Sequence, residues 1–227
     1  HKEYRRQRQM CIRDRCISEY KLFFITKEKK MKKLLLMVGL LVSLPSFASI
    51  SANVSFASDY IWRGMTQTDG PAMSGGFDYA AESGFYAGIW GSNVNFNDGA
   101  GSELDYYFGY GFEVGGVGVD LGYVAFDYPE NNTGLDFEEV VIGLSMGDLG
   151  LTFALGQDSA PDYTEISYAL GDFGFSYGEY DDYGDNFGIS YGFSCGSYDC
   201  GLAYSDFSDG GYGADEDAFV FSVSASL

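Results

Sequence analysis

Histidine is all but missing from this 227-residue sequence: the only one is His1. Triads that use imidazole as the base, and most zinc sites, are therefore excluded for everything that follows it. Cations are nearly as scarce. Twelve of the 13 Lys and Arg residues precede residue 49 and only Arg63 follows it, whereas 29 of the 33 Asp and Glu residues lie beyond that point, for a formal charge near −28. Such a chain is no nucleic-acid binder, because phosphate contacts need Lys and Arg. Long apolar runs are lacking too. Residues 34–44 form the most apolar stretch, well short of the roughly twenty residues a spanning helix needs.

That short run has another use. Met31, Lys32 and Lys33, the apolar stretch from Leu34 to Leu44 and the small-x-small Ser46-Phe47-Ala48 have the layout of an export signal over residues 31–48, cut after Ala48. What precedes it, HKEYRRQRQMCIRDRC onward, is basic and without hydrophobic period. Its MCIRDR core resembles translated sequencing-adapter read-through, so residues 1–30, with Cys11 and Cys16, are set aside as a non-native leader; a genuine upstream extension is the alternative. Residues 49–227 read as one domain with no linker.

Within that domain the pattern has a period of two. Val54, Phe56, Ser58, Tyr60 and Trp62 share one face against Asn53, Ser55, Ala57, Asp59 and Ile61. Met73, Phe77 and Tyr79 oppose Ser74, Gly76 and Asp78, and Leu104, Tyr106, Phe108, Tyr110, Phe112 and Val114 oppose Glu103, Asp105, Tyr107, Gly109, Gly111 and Glu113. Short turns such as Glu82-Ser83-Gly84, Gly115-Gly116 and Gly171-Asp172 alternate with longer polar loops. This rhythm predicts about 12 strands in an all-β, antiparallel up-and-down transmembrane β-barrel, with tight turns in the periplasm and loops outside. The face of Gly, Ser, Ala, Asn and carboxylate cannot fill a core at native density, so the aromatic face is expected to meet lipid. Tyr60, Tyr79, Tyr106, Tyr168 and Tyr204 are placed at headgroup depth.

The run ASDYIWRGMTQTDGPA (residues 57–72), followed by SGFYAGIWGSNVNF (residues 83–96), resembles the opening of the TorF family of porins from proteobacterial outer membranes, also labelled Gcw_chp. The resemblance implies an outer-membrane barrel acting as a channel and supplies no catalytic residues. The last alternating face, ending on Leu227, resembles the signal read by the barrel assembly machinery, the partner expected during biogenesis.

On this register Asp59, Asp78, Glu103, Asp105, Glu113, Asp120, Glu139 and Glu165 face the lumen. A field of one sign in a low-dielectric passage concentrates counter-ions, which predicts a passive channel for small hydrophilic solutes that prefers cations. The rival reading is a closed small barrel serving as an adhesin or structural protein. An outer-membrane lipid hydrolase lacks the histidine such chemistry usually uses, so no enzyme is expected. Arg63 is expected to pin the first loop by pairing with Asp59 or Asp69. Cys195 and Cys200 flank a short turn in an oxidising compartment and are expected to form a disulfide, a CxxxxC metal site being the incomplete alternative. The acidic loops (Asp181, Asp182, Asp185; Asp206, Asp209, Asp215, Glu216, Asp217) read as solvated, the alternative being Ca²⁺ or Mg²⁺ bridges to lipopolysaccharide. No cofactor is expected, and no oligomeric state follows.

Overall fold

The computed structural model describes residues 48–97, 99–129, 134–211 and 215–227. The expected leader over residues 1–30, and the expected export signal up to residue 47, lie outside the described residues. Fourteen strands follow in order: β1 (Ala48–Ala57), β2 (Ile61–Trp62), β3 (Met65–Thr66), β4 (Ala72–Ala81), β5 (Phe85–Asn93), β6 (Ser102–Val114), β7 (Val117–Asp127), β8 (Phe137–Met146), β9 (Leu149–Gly156), β10 (Tyr163–Leu170), β11 (Phe173–Tyr180), β12 (Gly184–Cys195), β13 (Tyr198–Asp209) and β14 (Glu216–Ser226). Twelve of them, β1 and β4 to β14, close an antiparallel barrel in which each strand pairs with its neighbours in sequence and β1 returns to β14. Closure satisfies every strand edge, as a sheet in hydrocarbon requires.

The short turns have a local cause. Val114 pairs with Val117, Met146 with Leu149, Leu170 with Phe173 and Cys195 with Tyr198, leaving two-residue connections. Each opens on a glycine with positive φ, Gly115, Gly147, Gly171 and Gly196. The hairpin turns that follow the strand twist demand that conformation.

Period-two alternation then sorts the side chains. Ile50, Phe77 and Phe219 are exposed outside at 77%, 63% and 81%, while Asp78, Glu103, Asp120 and Glu139 face inward. In the fifth strand Ile89 turns outward and Tyr86 and Trp90 turn inward, next to Asp120 and Tyr60 respectively.

One expectation fails at the first loop. The opening strand stops at Ala57, and residues 58–71 fold into the barrel as the β2–β3 hairpin. Tyr60 and Trp62 are therefore not lipid-facing: Trp62 lies against Phe126, Phe137 and Tyr180 on the inner wall. Met65, Ala154, Tyr163, Tyr180 and Phe207 form one buried cluster around the hairpin, and Val94, Ala100, Phe126 and Tyr128 form another, with Trp62 touching both. The loop end of the lumen thus has a packed core. The chain itself supplied the apolar filling that the wall lacks.

Candidate functional site

The hairpin tip is Arg63-Gly64, both at positive φ (49° and 86°), between the pairs Ile61 with Thr66 and Trp62 with Met65. Gly64 is required twice over, since a Cβ there would lie 2.7 Å from Asn186 Cβ and 2.9 Å from Phe207 Cβ. Arg63 has no such freedom, and a left-handed conformation costs a non-glycine residue about 1–2 kcal/mol. Its contacts offset this. The guanidinium donates Nη1–H to Glu139 Oε1 at 2.7 Å and Nη2–H to Oε2 at 2.8 Å, and lies over the rings of Tyr163 and Trp62 at 4.1 and 4.3 Å. Burial works against its charge, but the hydrogen bonds to Glu139 and the neighbouring Tyr180 outweigh it and hold the guanidinium above its usual range. The expected partners Asp59 and Asp69 are thus replaced by Glu139 on the far wall. Asp59 lies too near in sequence for an arginine that the hairpin carries across the lumen.

Further contacts fix the rest of the loop. Asp59 Oδ1 accepts the Thr66 and Thr68 hydroxyls at 2.8 and 2.7 Å, so this carboxylate belongs to the hairpin and not to the strand wall. Thr66 N–H donates to Glu216 on β14, and Asn95 N–H to the Gln67 carbonyl. Tyr60 donates its hydroxyl to Glu103 Oε1 at 2.8 Å. Burial, and then the Glu103 charge, push the Tyr60 phenol far above its ordinary value. Tyr128 is raised for the same reasons in the same order. Beside them Asp105 is buried, with Oδ1 lacking a hydrogen-bond partner among the described residues.

Toward the turn end the wall follows another rule, in which inward tyrosines donate to carboxylates while lying over glycines of neighbouring strands. Tyr86 donates to Asp120 at 2.8 Å, and its hydroxyl occupies the space a Cβ on Gly109 would need. Tyr107 donates to Asp78, which also accepts from Asn53 at 3.3 Å, and its ring covers Gly88. At the loop end Tyr163 behaves in the same way, covering Gly178 and reaching Glu165 and Asn186. With one cation beyond residue 49, phenols take the place that Lys and Arg fill elsewhere. Glu113 is exposed near the turn end of β6. Sequence reasoning missed these tyrosine donors; the available signal was a Tyr on the small-residue face opposite a Gly.

Cys195 and Cys200 form a disulfide across the β12–β13 turn, with Cα atoms 5.8 Å apart. Cys200 pairs with Phe193, so it shares the outward register. Among the described residues no group of three or more His, Cys, Asp or Glu is placed to hold a metal ion.

A closed barrel with a wall of this kind can be set beside known proteins. Residues 45–220 match the family described as "Bacterial protein of unknown function (Gcw_chp)". The chain belongs to the Gcw_chp family. The motif resemblance at residues 57–72 and 83–96 thus agrees with a match along most of the chain. No curated protein sequence matches this Gcw_chp chain. Its fold is similar to that of the KdgM porin, at 9% identity and a TM-score of 0.51 over 78% of this chain and 98% of that one. The same holds for the KdgM porin in complex with disordered oligogalacturonate, at 9% identity and 0.51 over 79% and 98%. OccK5 of Pseudomonas aeruginosa matches at 14% identity and a TM-score of 0.37, over 82% and 68%.

Proposed function

We propose that this Gcw_chp protein is an outer-membrane channel for passive diffusion of small hydrophilic solutes, with a preference for cations. The observation that carries the reading is the lumen's charge. Asp78, Asp120 and Glu165 face inward and stay partly exposed, whereas Glu103, Asp105 and Glu139 are buried and Arg63 is committed to Glu139. A low-dielectric wall with this surplus of carboxylates raises the local concentration of cations and repels anions. The KdgM porin has been captured with oligogalacturonate, an acidic sugar chain. A lumen like the present one disfavours such a polyanion, so a shared fold does not extend to a shared substrate. The hairpin narrows the lumen and restricts passage to small solutes. The aromatic outer face takes outer-membrane lipid and lipopolysaccharide, and the barrel assembly machinery inserts the protein.

Planar-bilayer recording of the refolded protein tests the reading. Unit conductance steps with a reversal potential favouring cations across a salt gradient are expected. A correctly folded barrel, shown by heat-modifiable gel mobility, that gives no steps would overturn it. The rival is a closed barrel serving at the surface, and it is favoured by the tight Arg63–Glu139 clamp.

A further inference from the structure

The hairpin does not fill the lumen evenly. Its Tyr60 edge packs on Trp90 of β5, Trp62 on Phe126 and Phe137, Arg63 on Glu139, Tyr163 and Tyr180, and Gly64 against Asn186 and Phe207. These contacts run from β5 round to β13. On the opposite side, between the hairpin and the wall formed by β13, β14, β1, β4 and β5, a cavity of about 220 Å³ remains. Its wall is built from small inward residues, among them Ser74, Ser92, Ala203 and Ser205, and its hairpin side is formed by Asp59, Tyr60 and Ile61.

We infer that this cavity is the constriction through which solute passes the hairpin, and that Asp59 is the carboxylate that sets its charge preference. The inference rests on the channel reading above. Three observations converge on it. The wall there offers no side chain larger than Val220, whereas the wall from β7 to β13 turns Phe126, Phe137, Tyr163, Tyr180, Phe207 and the ion pair toward the hairpin. The two threonine hydroxyls fix the Asp59 carboxylate beside the cavity, and the chain's one cation beyond residue 49 is clamped on the far wall. The volume is that of roughly seven waters at ~30 Å³ each, and lies below the ~300 Å³ at which pockets for drug-sized ligands begin. The solutes that fit are small monovalent cations with part of their hydration shell, or ammonium ions of similar size.

Cysteine scanning of the refolded barrel tests the route, because the native Cys195 and Cys200 are already paired. In Ala203→Cys and Ser205→Cys, a methanethiosulfonate carrying an ethylammonium group is expected to react, to lower unit conductance several-fold and to weaken or reverse cation preference. Ala154→Cys, fully buried beside Met65, is expected not to react. Asp59→Asn is expected to bring the cation-to-anion permeability ratio toward one, while Asp148→Asn, at an exposed position in the β8–β9 turn, changes it little. The route is overturned if Ala203→Cys is folded but unreactive, or is modified to completion without change in conductance, or if modification at Ala154→Cys is what blocks. Absence of unit steps in the unmodified protein sinks the channel reading itself, which separates the two failures.

Discussion

Arg63 and Glu139, 76 residues apart in the chain, meet inside the barrel in a two-bond ion pair of 2.7 and 2.8 Å. The guanidinium and carboxylate are 12% and 2% exposed. The pair joins the tip of the first loop to the opposite wall.

Removing one partner leaves the other buried and unpaired, at a typical loss of about 3–5 kcal/mol. Arg63→Ala is therefore expected to lower the urea stability of the detergent-folded barrel by an amount of that order and to raise unit conductance as the hairpin loosens. Arg63→Lys is expected to recover only part of the loss, since an ammonium cannot make both bonds. Unchanged stability in both variants would remove the clamp from the account.

Alkaline pH tests the second anchor. The Tyr60 phenol is raised above its unfolded value, by burial and then by Glu103. Its contribution is fully present below about pH 10, the unfolded value, and is lost as pH rises beyond it, because the unfolded chain releases the proton first. Stability above pH 10 should fall less steeply in Tyr60→Phe, by up to about 1.4 kcal/mol per pH unit. Equal slopes in urea titrations at pH 9 and 11 would contradict the buried hydrogen bond.

Glycine on the wall is a spacer for tyrosine. In Gly109→Ala the new Cβ occupies the place of the Tyr86 hydroxyl, so the ring must leave Asp120 and swing into the lumen. Overpacking of this kind costs about 1–3 kcal/mol, and unit conductance is expected to fall. Gly192→Ala meets open space and serves as the control; equal effects in the two would refute the spacer role.

The disulfide is expected to matter for stability and not for conduction. A bond closing so short a loop contributes on the order of 2 kcal/mol. The double variant Cys195→Ser, Cys200→Ser should fold, conduct normally and unfold at lower urea. A changed reversal potential would show that the β12–β13 turn shapes the passage.

Much of this was written in the sequence. The alternation of Leu104 to Val114, with aromatics at every second place, admits one pleated arrangement. The glycine-led turns fix the hairpin order, and the mismatch between a greasy face and a face too small to pack decides which side meets lipid. Those features are local, and backbone geometry reads them locally. The fate of residues 58–71 was not local. Tyr60 and Trp62 continue the period of β1, so alternation alone sends them to lipid; what draws them inward is the ion pair with Glu139 and the rings of β7, β8 and β11. Only closure of the barrel brings those groups within reach. Composition determined the charge of the lumen, and the tertiary structure decided where Arg63, the one cation beyond residue 49, is spent and on which side of the hairpin open space remains.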